Sequence, residues 1–370
     1  MMTMMKQMKR WPAFLLPALL VCACGPGSEN TGEIRWKEIP LAMDSLAIDQ
    51  ILAPTQMQIK GDLAVVMSGK TDTIFHVFSL PDFHFLYKDG VSGEGPDDFS
   101  FGRFVAYPSD SVFCHSDLFR LHAKVFRLSD TGFEKEKIFR RGRGMSAILS
   151  VVNDSIMVVE KQDWDKRELG VYVYNHLSGQ ITDSLSLKTY MKDTRISTGI
   201  FGLLNQYAVF GYGDRFVVSY YFMDRVEFYR VSPEGKTSLY KAWGKEELPD
   251  YLSDFLKRDE RKRESLENLP VLEGARIYYG WGGYATSQHI FMVSGKGMTP
   301  EEQGKKQEKG ELDVTLDVFT WDGDPVGRMH LPLYGSTTLP FAVSEKYSTI
   351  YAVDPQQDFD QIYTFRYDKL

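Results

Sequence analysis

The chain has 370 residues, and its 43 basic and 50 acidic side chains give a formal charge of −7. The first 23 residues hold three of the basic side chains and none of the acidic ones, so the remainder stands at −10. A body this acidic lacks the basic stripe of a nucleic-acid binder, and no nucleic-acid partner is expected. Beyond Cys24 there is one cysteine, Cys114, which rules out an intramolecular disulfide in the body and reads as a small buried hydrophobe.

Lys6, Lys9 and Arg10 precede an apolar run from Trp11 to Val21. That run is too short to cross a bilayer, which takes roughly 20 apolar residues, so residues 1–23 read as a signal peptide. The sequence Val21-Cys22-Ala23-Cys24-Gly25 resembles the lipobox of bacterial lipoproteins, and Cys24, preceded by Ala23, fits it better than Cys22, preceded by Val21. The resemblance implies cleavage before Cys24, acylation of Cys24 and attachment to a membrane; an ordinary signal peptide is the alternative. Residues 24–33, which contain Gly and Ser, form a flexible tether.

From residue 34 onward the chain is a succession of short β-rich phrases between Gly, Asp and Pro punctuation. Ile34–Ile39 is a strand stranded ahead of the first group. Four strands then run from about Gln56 to Asp89, four from Phe104 to Glu136, four from Leu149 to Leu185 and four from Tyr207 to Tyr240. Residues 245–270 carry a helical period and form an insertion. A fifth group follows from Ala275 to Thr320, with Thr299–Gly310 as a solvated hairpin tip. A sixth begins at Phe341 and ends with Gln361–Tyr367, one strand short. An aromatic residue closes one strand of each group: Phe78, Phe126, Tyr174, Tyr229, Phe319 and Phe365, separated by 48, 48, 55, 90 and 46 positions. Such a period is that of a four-stranded propeller blade. The expected fold is all-β, a six-bladed propeller over residues 34–370, with Ile34–Ile39 as the missing outer strand that closes the ring; seven blades follow if the insertion hides another.

After the first group comes Gly93-Glu94-Gly95-Pro96-Asp97-Asp98-Phe99. With the lipobox and the blade array, this phrase resembles the TolB-like six-bladed β-propeller lipoproteins of Bacteroidetes, departing from their usual pattern at Asp97, where a small residue is common. The resemblance covers nearly the whole body and implies a cell-envelope protein held in the outer membrane by lipid, its periplasmic or surface face left open. It implies no particular chemistry.

Equal offsets place Gly93, Gly142 and Gly244 in equivalent links between blades, and so around one mouth of the central channel. Glu94, Asp97, Arg141 and Arg143 are then candidate ligand-binding residues, the arginines for anions. The plainer reading is linkage alone, with Gly supplying positive φ. Tyr278-Tyr279-Gly280-Trp281-Gly282-Gly283-Tyr284 is the densest aromatic patch, and Tyr279, Trp281 and Tyr284 serve either as a stacking surface or as filling for blade 5. Arg140–Gly144 lacks the P-loop pattern. The seven histidines do not cluster at metal-ligand spacing, so neither metal nor cofactor is expected.

These features point to an envelope platform that binds a peptide, glycan or partner protein without catalysis. The alternative is a hydrolase or lyase with its site at the channel mouth, marked by at least two inward carboxylates with a histidine or metal. A third reading has the helical insertion dock on an envelope protein.

Overall fold

A computed structural model describes residues 28–30, 34–48, 50, 53–69, 72–95, 98–100, 102–117, 120, 122–142, 145–189, 201–202, 205–220, 225–245, 276–296, 300–309, 313–333, 340–354, 360–368 and 370. Six antiparallel sheets stand around one axis, each with an inner strand beside the channel. Blade 1 is Pro54–Lys60, Leu63–Ser68, Thr73–Ser79 and His84–Val91, from inner to outer. Blade 2 is Gly102–Val105, Val112–Asp117, His122–Leu128 and Phe133–Arg140. Blade 3 is Ile148–Val151, Ile156–Asp163, Glu168–Asn175 and Gln180–Ser186. Blade 4 is Tyr207–Tyr212, Arg215–Tyr220, Arg225–Val231 and Thr237–Gly244. Blade 5 is Arg276–Ala285, His289–Lys296, Val314–Thr320 and Pro325–Leu331. Phe341–Ser344, Thr349–Ala352 and Gln361–Tyr367 make three strands of blade 6.

The fourth strand of blade 6 comes from the N-terminal side, but it is Leu41–Ala47 rather than Ile34–Ile39. Its seven residues pair antiparallel with Gln361–Tyr367, from Leu41 opposite Tyr367 to Ala47 opposite Gln361. Residues 37–39 instead lie parallel to the outer strand of blade 5. Ile39 N–H donates to the Arg328 carbonyl at 2.7 Å, and Arg328 N–H donates to the Lys37 carbonyl at 2.8 Å. Gly327 permits this approach, since a Cβ there would collide with Ile39 and the Lys37 carbonyl. Trp36 packs edge-on against Phe319 and carries the Arg328 guanidinium 5.0 Å above its ring. Farther back, Ser28–Asn30 runs parallel to the outer strand of blade 4. The N-terminal segment thus passes along the rims of blades 4, 5 and 6 in turn.

Two other expectations change or fall outside the description. Pro300–Glu308 is a nine-residue helix where a hairpin tip was expected, with acidic residues in its first turn, basic ones in its last and a Glu301–Lys305 ion pair. The helical insertion at 245–270 lies outside the described residues, apart from Lys245 at its edge.

All six marker aromatics sit in the third strand of their blade and are buried. Alternation along that strand sends them into the seam between neighbouring blades, where the described residues form an apolar cluster at each seam. Between blades 1 and 2, Phe113 stacks on Phe126 at 5.1 Å, and Phe75 and Phe133 meet Phe113 edge-on at 5.4 and 5.3 Å. Each ring buried in this way stabilises the fold by ~2–3 kcal/mol. Cys114 is fully buried in the seam of blades 2 and 3, and burial pushes its thiol up to about 12.

The marker aromatics share a second property. In blades 1 to 5 the pairing of third and outer strands slips at the aromatic, leaving an extra residue on the outer strand. The extra residues are Leu86, Glu136, Thr182, Tyr240 and Val326. Such β-bulges add local right-handed twist, which fits an outer strand fanning away from the axis. In blade 6 the outer strand arrives from elsewhere in the chain, and Met43 faces Phe365 with no slip.

Candidate functional site

An inner strand is a sheet edge, and its outward-pointing backbone groups need partners. Side chains in the channel supply several of them. Gln56 Oε1 accepts from Phe104 N–H at 2.8 Å, and Arg103 donates to the Ile148 carbonyl at 3.1 Å. Lys60 donates to the Tyr107 and Ser109 carbonyls, both at 2.9 Å. The Tyr284 hydroxyl accepts from Ile59 N–H at 2.8 Å, tying blade 5 to blade 1 past Phe341 of blade 6. Each of these contacts joins neighbouring or next-neighbouring blades, so polar residues in these strands hold the ring together from inside.

Two cavities share the axis. The larger, about 780 Å³, opens where the inner strands begin and is bordered by the links between blades. The smaller, about 330 Å³, lies where the inner strands end. Both touch Gln58, Ala106, Tyr284 and Ala285, so Tyr284 and Gln58 form a neck between them. At the smaller cavity Glu345 accepts from Thr286 and lies 3.0 Å from His289 Nδ1.

The larger cavity concentrates the chemistry. Its described wall holds three charged residues: Arg103, Arg141 and Glu160. Tyr207 donates its hydroxyl to Glu160 Oε1 at 2.9 Å. Burial, reinforced by the Glu160 carboxylate, holds the Tyr207 phenol well above the ordinary tyrosine value. Burial likewise lowers the pKa of Arg103, with Glu160 opposing, and that of Arg141, with Arg103 adding repulsion; a guanidinium stays charged through such shifts. Gln58, Gln162 and Gln206 add neutral amides, and Phe104 and Phe341 add aromatic faces. At the rim Trp164 is 41% exposed and rests edge-on against Phe201.

The residues singled out from sequence fall in different places. Arg141 is buried in the wall of the larger cavity, and Tyr284 is at its neck. Glu94 is exposed on the link after blade 1 and does not line the cavity. Asp97 and Arg143 lie outside the described residues, as does Cys24. Tyr279 and Trp281 belong to the inner strand of blade 5, in a stretch where Tyr279–Gly282 faces Val293 alone; their side chains lie outside the description. Of the three link glycines, only Gly244 has a positive φ, 86°. His76 is buried and pairs with Lys88 across the hairpin.

The described residues of the Gly93–Asp98 phrase, 93–95 and 98, are braced from the neighbouring blade. Arg120, from the neighbouring blade, donates to the carbonyls of Gly93 at 2.8 Å, Gly95 at 2.6 Å and Asp98 at 3.2 Å. Lys124 donates to the Asp98 carbonyl at 2.8 Å and covers the Phe99 ring at 4.8 Å. Asp98 Oδ2 accepts from Gly95 N–H at 2.7 Å, and a Cβ at position 93 would strike the same carboxylate. A Cβ at position 95 would meet that carboxylate as well, which accounts for both glycines.

Sequence reading passed over Arg103, Glu160 and Tyr207. Arg103 and Tyr207 lie in inner strands and Glu160 in the second strand of blade 3, so it is the arrangement of blades around the axis, not a local pattern, that brings them together. Among the described residues no group of three His, Cys, Asp or Glu side chains converges as metal ligands.

Over residues 37–206 the chain matches the family model described as TolB-like 6-blade propeller-like. Two solved structures share its architecture. One is a protein of Bacteroides fragilis NCTC 9343 named as exported, 11% identical, covering 92% of this chain and 99% of its own, with a TM-score of 0.55. The other is a member of the DUF4221 family from Bacteroides vulgatus ATCC 8482, 10% identical, covering 90% and 99%, with a TM-score of 0.52. At these identities the likeness is one of fold. No curated protein matches the chain in sequence.

Proposed function

We propose that this chain, a TolB-like six-bladed propeller, is an exported binding module of the cell envelope, held at a membrane through Cys24, that takes its ligand into the wide end of the channel without transforming it. The observation that carries this is the 780 Å³ cavity, large enough for a small ligand and lined by amides, guanidiniums and aromatic faces. The basic and apolar N-terminus ending at Cys24, together with the exported label of the Bacteroides fragilis protein, supports the location.

The hydrolase or lyase reading draws less support. Glu160 is the one carboxylate of the described wall, and Tyr207 points its proton at it. A phenol held far above the ordinary tyrosine value is a hydrogen-bond donor at neutral pH and a poor base. The arrangement therefore suits holding a ligand better than abstracting a proton from one.

Glycan and peptide arrays probed with the purified full chain test the proposal. Wild type should capture at least one class of ligand, and Ser146→Trp, which places a large ring in the cavity wall, should lose it. Leu177→Ala, on the far exposed edge of blade 3, should bind as wild type does. Equal capture by the plugged variant would remove the channel as the site, and silence of wild type on both arrays would count against a binding module.

A further inference from the structure

We propose that the larger cavity receives a uronic-acid unit of a glycan, with the sugar carboxylate on the guanidinium of Arg103 and its hydroxyls among the cavity's amides. This deepens the binding reading and rests on it.

Much of the polar chemistry along the axis is committed to the inner strand edges. Gln56, Lys60 and Tyr284 each satisfy backbone groups of a neighbouring blade. What remains is informative. Among the described residues Arg103 gives one hydrogen bond, to the Ile148 carbonyl, and it lines the cavity. A guanidinium presents five N–H donors in a plane that matches a carboxylate in two-point fashion. The planar donor fork of Arg103 gives an anion a reason to enter.

Gln58 supplies a second requirement. The residue is 92% removed from solvent at the neck, and its Oε1 has no hydrogen-bond partner among the described residues. Leaving such an acceptor unmet costs free energy, and a ligand hydroxyl would meet it. Gln162 and Gln206 stand elsewhere on the same wall. An amide offers donor and acceptor together, as does each hydroxyl of a sugar. Trp164 at the rim and Phe104 within supply flat apolar faces for the carbon side of a ring.

A peptide fits the same wall less well. Extended peptides bind sheet proteins by adding to a strand edge, and the inner edges here already spend groups on Gln56, Lys60, Arg103 and Tyr284. Inorganic anions would use Arg103 but leave the amides and rings idle.

Isothermal titration of the full chain with trimers of galacturonate, glucuronate and mannuronate tests the assignment, with the fully methyl-esterified trimers as neutral controls. At least one free trimer should bind, and its ester should bind at least tenfold more weakly. Arg103→Gln should remove that preference, while Arg103→Lys should restore part of it. Because Arg103 also braces blade 3, Gln58→Met provides the independent check: it deletes an unmet oxygen, so it should lower affinity several-fold while raising or preserving the melting temperature. Equal binding of acid and ester, stronger binding of tripeptides, or complete competition by inorganic sulfate would overturn the uronate assignment and leave the binding module standing. Silence of every probe, peptides included, would overturn both.

Discussion

Lys60 shows what a single channel residue contributes. Its ammonium sits between two carbonyls in a nearly closed environment, and burial pulls its pKa down to about 8, with Asp110 opposing. In the unfolded chain the group titrates near about 10.4. Below pH 8 both states carry the proton and the burial cost is fully present. Between pH 8 and 10 the unfolded state binds more protons, so stability from this group rises with pH. Urea denaturation should show wild type gaining about 2 kcal/mol between pH 7.5 and 9.5 relative to Lys60→Met; parallel pH profiles would refute this. Residues of this kind were hard to read in sequence. Gln58-Ile59-Lys60 was legible as a strand, but nothing in it says that Lys60 reaches blade 2. Glu227 is similar. It shares a legible strand phrase with Arg225, its ion-pair partner, and Tyr229, which donates to it, but its second hydrogen bond comes from Tyr220 on the neighbouring strand, and that pairing is invisible in a linear pattern.

At the scale of elements, the legible signal was the aromatic that closes each third strand, because seam packing imposes the same demand six times. The bulge opposite it was not legible: it is a property of two strands together. Its role can be tested by deletion. Removing Glu136, the extra residue of blade 2, leaves the partners on both sides in register. Removing Asp44 from the unbulged closing strand sends Leu41 and Met43 to the opposite face. Loss of Glu136 should cost about 1–2 kcal/mol and loss of Asp44 at least about 2 kcal/mol more, as measured by chemical denaturation. Equal costs would mean that the bulge is not a spare residue. The aromatic and glycine patch around Trp281 read equally as a stacking surface or as filling for blade 5; it belongs to the inner strand of that blade, whose ladder is interrupted at one position.

For the whole molecule, the ring and its six blades followed from the spacing, whereas the strand that closes the ring did not. Ile34–Ile39 has the better strand composition. Leu41–Ala47 is mostly exposed and includes Asp44 and two alanines, residues disfavoured in strands, but it faces the open edge of Gln361–Tyr367. Geometry, rather than propensity, selects it. Chains beginning at Leu41 should therefore keep a cooperative thermal transition, lowered by several degrees for the lost Trp36 contacts. Chains beginning at Ile48 should lose that cooperativity. A sharp transition in the shorter chain would show that the ring closes without this strand.

The path of the N-terminal segment along three rims also orders how the molecule would yield to tension. Ser28–Asn30 lies on blade 4, Lys37–Ile39 on blade 5 and Leu41–Ala47 on blade 6. A load entering at Ser28 meets three paired residues, then a single bridge with its two hydrogen bonds, and only afterwards a seven-residue ladder. The weaker attachments give way first and lengthen the leash, so the fastening of the ring is the last part to feel the pull.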